Sequence, residues 1–396
     1  MKTILPFWGF VLFGAAFFLP PDSRLGAAEK VAFKRTQIDP VFRSEGVAVA
    51  DFNGDGKKDI AAGSVYYAGP DWAMHAVLEQ PNAFSPDQYS DVFACFVADV
   101  NGDGRTDLIT VGVPGGETFW FENPGSSGGP WKRRVAAAVT NNESPIWTDL
   151  TGDGRAELVF GYSPDPENPD CPQRRMAYAG PGKTWSGAWP IRAFSEPEAP
   201  GSKKYAHGLG VGDLNGDGRN DVVTTEGWWE RPADGNGETW PFHAARLGDE
   251  SAHMAIEDFD GDGDRDVLSS SAHGFGIWWH EQTADGWAAH TIDDTVSQTH
   301  ALCLADINGD GLMDFVTGKR WRAHMTGDPG GDMPAVVVWY ELGRKEGRPT
   351  WTRHAVDHDS GVGTQFEVAD VNGDGLLDIV TSNKKGVFYF EQVRQQ

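Results

Sequence analysis

Seven acidic nonapeptides and a subset of eleven histidines carry the chemistry open to this chain. The nonapeptides read D-x-(N/D)-G-D-G-x-x-D, with one departure. In each, positions 1, 3, 5 and 9 offer side-chain oxygens, position 7 offers a carbonyl, and glycines at 4 and 6 permit a tight turn. Oxygen donors alone at that spacing suit Ca2+ better than Zn2+. The donor sets are Asp51, Asn53, Asp55 and Asp59; Asp99, Asn101, Asp103 and Asp107; Asp149, Asp153 and Glu157; Asp213, Asn215, Asp217 and Asp221; Asp258, Asp260, Asp262 and Asp266; Asp306, Asn308, Asp310 and Asp314; and Asp370, Asn372, Asp374 and Asp378. The third set departs, with Thr151 for Asn and Glu157 for Asp. Up to seven structural Ca2+ ions are expected. Turns closed by hydrogen bonds alone are the alternative.

The histidines fall into two groups. His75, His243, His290 and His354 recur in a W-x-x-H pattern and read as structural, and His280 lies in an aromatic strand. His207, His253 and His300 stand six, five and six residues before the first Asp of repeats four, five and six. His273 and His324 fall in the segments that follow repeats five and six, the latter beside Lys319 and Arg320. Imidazoles serve as general bases near neutral pH or hold a divalent metal that polarises a carbonyl. Lys319 and Arg320 would stabilise an enolate oxygen. Glu143, Trp321, Gln365 and Glu226 are candidates for holding substrate, Trp321 and Trp228 by stacking on a sugar. His358 is a further candidate. Proton abstraction beside a carbonyl followed by β-elimination fits this set; an additional divalent metal at the histidines is the cofactor it suggests.

These residues need elements to place them. Each repeat holds four strand-like pieces: a small-residue strand ending at the first Asp, a second leaving the acidic loop, an aromatic third such as Trp339-Tyr340-Glu341, and a fourth beginning W-x-x-(H/R). Four antiparallel strands per unit at this period make a propeller blade. The expected fold is therefore all-β, a seven-bladed β-propeller spanning residues 29–396 as one domain. Seven first strands meet only six W-x-x-(H/R) strands, and Phe33-Lys34-Arg35-Thr36 matches the missing piece. The N-terminal strand should complete the last blade and close the ring. The acidic loops then occupy one rim, and the second histidine group the opposite one. Glu45, Asp91 and Phe93 lie near that rim. Two long insertions, Tyr162–Met176 and Lys319–Pro334, overhang it, where loops over a rigid scaffold carry function.

Residues 1–28 read as a signal peptide, with an apolar Ile4–Leu19 and small residues at Gly26-Ala27-Ala28. A secreted or periplasmic protein is expected, with no membrane span after leader removal. The formal net charge of −25 carries no basic footprint for nucleic acid. Three cysteines, Cys95, Cys171 and Cys303, do not make a disulfide framework. No P-loop or H-E-x-x-H is present. Oligomeric state is not legible.

The acidic loops resemble the FG-GAP/VCBS repeat of integrin-like and bacterial secreted propellers, a likeness that implies the fold and Ca2+ sites. His207-Gly208-Leu209-Gly210-Val211-Gly212-Asp213, Glu226-Gly227-Trp228-Trp229-Glu230, Ala272-His273-Gly274 and Val316-Thr317-Gly318-Lys319-Arg320-Trp321 are similar to the propeller domain of the aldos-2-ulose dehydratases. That resemblance implies loss of water from keto-sugars at the channel mouth. The cupin domains that carry out a later isomerisation in the fungal enzyme are not expected here. Two functions follow: a lyase or dehydratase acting on a keto-sugar or oxidised glycoside, or a non-catalytic propeller that binds a glycan or protein at the cell surface or in the periplasm.

Overall fold

Each nonapeptide closes on itself before any tertiary contact is made. In the first, the Asp51 carboxylate accepts the amides of Gly54, Asp55 and Gly56, and the two glycines sit at φ 77° and 85°, a left-handed region that side chains resist. Asp59, at position nine, turns inward. Its two oxygens accept the amides of Phe52 and of Gly69, fastening the loop to the third strand of the same blade. Asp107, Asp314 and Asp378 repeat that tie. All four are fully buried, and burial pushes the carboxyls of Asp107 and Asp314 up to about 7.

The computed structural model describes residues 30–182, 187–233 and 239–395. The leader read at residues 1–28 lies outside them. Twenty-eight strands form seven four-stranded antiparallel sheets. The first blade is β2 (Ala48–Ala50), β3 (Asp59–Ala62), β4 (Val65–Ala68) and β5 (Ala73–Ala76), paired in that order. The last is β26 (Glu367–Ala369), β27 (Asp378–Asn383) and β28 (Gly386–Gln395), and β1 (Lys30–Asp39) is its outer strand. Lys34 pairs with Glu391 and Thr36 with Tyr389, so the ring closes as the sequence indicates. The described residues contain one helical turn, Gly125–Ser127, and no helix long and apolar enough to cross a membrane.

The W-x-x-(H/R) pattern now has a physical reason. Its tryptophan wedges against the preceding blade. Trp131 packs on Phe52 and Tyr66, Trp240 on Phe194 at 4.5 Å, and Trp351 on Phe259 at 5.4 Å. Its histidine stacks on a third-strand ring: His243 on Trp228, His290 on Trp279 and His354 on Trp339, at 4.2, 4.4 and 4.3 Å. Each imidazole also bonds a glutamate, Glu230, Glu281 or Glu341. Arg134 does the same over Trp120 with Glu122. Trp228 is buried in such a stack and is not a sugar platform, correcting the expectation above.

His280 breaks the aromatic rule. Its register partners in other blades include Phe121, Trp229, Tyr340 and Phe390, each opposite the residue after the ninth loop position. His280 is 3% exposed, bonds Ser269 Oγ at 2.8 Å, and burial, with His290 adding to it, pushes its pKa down to about 4. A depressed imidazole pKa leaves the unfolded chain holding the extra proton, so stability is complete above about pH 6.5 and falls toward pH 4. His280→Phe should remove this contribution. Chemical denaturation at pH 7 and pH 4 should show the variant gaining about 3 kcal/mol on wild type across that window; parallel profiles would refute the burial argument.

Candidate functional site

His207, His273, His300 and His324 converge on the rim opposite the acidic loops. His207 precedes β14 (Gly210–Gly212), and His300 precedes β22 (Leu302–Ala305). His273 sits between β19 (Asp266–Ser270) and β20 (Phe275–Thr283). His324 comes from the insertion between β23 (Asp314–Gly318) and β24 (Val337–Lys345). His207 Nε2 lies 3.1 Å from His273 Nε2. The His273 ring is 5.0 Å from His300 and stacks on His324 at 4.6 Å. One nitrogen from each of His207, His273 and His300 falls within 4.8 Å of the others, close enough to share an ion.

Asp328 organises the outer half. Its carboxylate lies 3.2 Å from His273 Nδ1 and 3.0 Å from His324 Nδ1, and it accepts the Gln298 amide at 3.1 Å. His273, His324 and Asp328 form a second group able to hold a metal. Sequence reading missed Asp328 and Gln298. Only the length of the Lys319–Pro334 insertion hinted at the former, and nothing local marks the latter. Gln298 has φ 56°, a strained setting for a non-glycine residue, and its carbonyl accepts the amides of His300 and Arg320. The same carbonyl lies 3.3 Å from His300 Nδ1. His300 Nε2 is then the acceptor nitrogen; it is buried and unpartnered. Burial holds His300 well below the ordinary histidine pKa, with the Arg320 charge adding to the effect. His273 is lowered by burial and then by His207. Neutral imidazoles are the metal-binding form.

The expected cation pair plays another part. Lys319 is 1% exposed, and its ammonium donates to the carbonyls of Gly330 and Met333, anchoring the insertion that carries Asp328. Arg320 is equally buried between Glu45 and Glu143, its guanidinium over the rings of Tyr89 and Phe93. Both cations are thus enclosed by partners within the fold, where each positions a segment of the site. Glu143 does join the site, 3.0 Å from Arg320 and 3.4 Å from His207. Burial alone would raise its pKa, but Arg320 and then His207 outweigh it and hold it down to about 2. Removing Arg320 strands two buried carboxylates. Arg320→Met should cost about 3–5 kcal/mol of stability in urea unfolding. Adding Glu45→Gln and Glu143→Gln should recover part of it, and a neutral single variant would count against the triad.

Other expected residues stand apart. His253 lines the central channel, bonds the Pro145 carbonyl, and burial pushes its pKa down to about 4. It lies outside the group formed by His207, His273 and His300. Gln365 shares that channel cavity of about 240 Å³, its amide oxygen accepting the amides of Val47 and Cys95. Trp321 is half-buried, with Arg322 and Lys385 over its ring at 5.3 and 4.8 Å. Glu226 is exposed in the turn before β16 (Gly227–Trp229), outside the cluster.

In the acidic loops, the oxygens of Asp258, Asp260 and Asp262 lie within 4.8 Å of one another, a fit for a hard cation. In the second, third and fourth loops, an arginine at position seven instead pairs with the position-five aspartate: Arg105 with Asp103, Arg155 with Asp153, Arg219 with Asp217.

With blades, loops and cluster in place, the class is defined: a seven-bladed β-propeller carrying FG-GAP-like repeats, which match residues 81–160 and 258–317. The chain is 32% identical over 116 residues to integrin alpha-3 of Mus musculus, a match covering 26% of this chain and 11% of that protein. Among solved structures, it is similar to an Agrocybe aegerita lectin that recognises non-reducing terminal N-acetylglucosamine, at TM-score 0.47 and 16% identity over 92% of this chain and 86% of that one. It is also similar to the exotype rhamnogalacturonan lyase YesX, at TM-score 0.47 and 13% identity over 88% and 72%. These last two likenesses do not bear on the chemistry of this chain.

Proposed function

We propose that this propeller is a secreted or periplasmic carbon–oxygen lyase that eliminates a β-oxygen from a keto-sugar or oxidised glycoside at the histidine cluster. The observation that carries the reading is the buried, unpartnered Nε2 of His300 facing His207 and His273. Those three imidazoles would hold a divalent metal, which when bound polarises the substrate carbonyl and acidifies the neighbouring C–H. Asp328 fixes the Nδ1 side of His324, leaving its exposed Nε2 free to take that proton. As the C–H bond breaks, the carbon–carbon double bond forms and the β C–O bond breaks. The leaving oxygen takes the proton back from His324. Glu143, held anionic 3.4 Å from His207 Nε2, would balance the charge of that metal. The product is an enone. The aldos-2-ulose dehydratase-like stretches support a dehydration of this kind.

We further propose that the acidic loops hold structural Ca2+, the fifth most tightly. A glycan-binding propeller without turnover is the second reading, favoured by the exposed aromatics at the same rim. Purified residues 29–396 offered keto-sugars and 3-keto-glycosides should develop enone absorbance that depends on a bound divalent metal. Binding without enone formation on every such compound would replace the lyase with the glycan-binding reading.

A further inference from the structure

Eight large hydrophobic side chains are exposed among the described residues. Met74, Val135 and Phe242 lie on outer strands, and Met313 in an acidic loop. The other four, Tyr89, Tyr205, Phe275 and Met333, are 41, 46, 38 and 40% exposed, and all border the histidine cluster. Tyr205 is two residues before His207 and Phe275 two after His273, the pair whose Nε2 atoms are 3.1 Å apart. Phe275 and Met333 flank Gly330, where a Cβ would meet the phenyl ring at 2.8 Å and the sulfur at 3.1 Å. Tyr89 donates its hydroxyl to the Ala323 carbonyl at 2.8 Å, one residue before His324.

The backbones that carry these exposed side chains are held. Tyr205 sits at φ 61°, its amide donating to the Asn141 carbonyl at 2.9 Å. The Met333 carbonyl accepts the Lys319 ammonium at 2.9 Å. Fixed apolar surfaces bind with little ordering cost. The faces of a pyranose carry C–H bonds while its edge carries hydroxyls, so an aromatic ring takes the face and leaves the edge in water. Two residues of extended chain span at most about 7 Å, which keeps the backbones of Tyr205 and Phe275 within that distance of those of His207 and His273. Their rings stack on none of the four histidines.

We infer that Tyr205 and Phe275, with Tyr89 and Met333, form flanking subsites for a second sugar ring, so that the substrate is a glycoside of two or more rings rather than a free monosaccharide. This rests on the cluster being a sugar site.

The test compares one-ring and two-ring 3-keto-glycosides, and separately measures binding of an unoxidised two-ring glycoside by saturation-transfer NMR. Tyr205→Ala and Phe275→Ala should each lower the two-ring to one-ring ratio of kcat/KM about tenfold, mainly through KM. Both should weaken binding of the unreactive glycoside, which His300→Ala should still bind. A wild-type enzyme showing no preference for two rings, or variants that leave the ratio unchanged, would overturn the inference while leaving the lyase reading intact. If no compound is turned over but the unreactive glycoside binds in a Tyr205-dependent way, the subsites stand and the lyase reading falls.

Discussion

His300→Ala should reduce enone formation by roughly 10³-fold, the scale of losing a positioned acid–base or metal group, with KM little changed. It should also lose one divalent ion that wild type retains, read by elemental mass spectrometry on Ca2+-saturated protein. The fold should survive. His300 Nε2 is unpartnered, and its Nδ1 contact with the Gln298 carbonyl is long at 3.3 Å, so truncation removes no strong bond. The cavity left behind should cost about 2–3 kcal/mol, visible as a modest shift in urea midpoint. Asp328→Asn separates the roles further. It would leave the three imidazoles in place while removing the charge beside His273 and His324, so kcat should fall and its pH profile should shift while the ion count holds. Full turnover in His300→Ala would remove this cluster from the reaction.

Chelation should lower the melting temperature by about 10–20 °C. Each ion held at a hundred times its dissociation constant stabilises the native state by about 2.7 kcal/mol, and a domain of this size moves by about 2 °C per kcal/mol. The loops should not contribute equally. Arg105, Arg155 and Arg219 already place a guanidinium on the position-five aspartate, whereas the fifth loop gathers three carboxylates with no such partner. Asp262→Asn should therefore shift the melting temperature more than Asp153→Asn, and titration should fill fewer than seven tight sites. An unchanged melting temperature in chelator would return these loops to hydrogen-bonded turns. Because the blades hold the rim, partial chelation at a temperature where the ring stays folded is needed to separate this loss from that of a metal at His300.

What a short stretch of chain determines was legible in advance. An acidic loop makes its bonds within about ten residues, the W-x-x-(H/R) strand recurs because every blade meets its neighbour in the same way, and the spare strand at Phe33–Thr36 left one closure available. Fold, blade count and the structural role of His243, His290 and His354 followed from those local rules. The site did not. Asp328 reaches His273 across 55 residues, and Arg320 reaches Glu143 across 177. His253 lies beside Gln365 in a different cavity, bonded to the Pro145 carbonyl. Lys319 and Arg320 are enclosed by carbonyls and carboxylates that spacing along the chain does not reveal. The sequence by itself determined the ring and the rim on which histidines would gather. Only the tertiary structure decided which of them meet, and which charges are spent in holding them there.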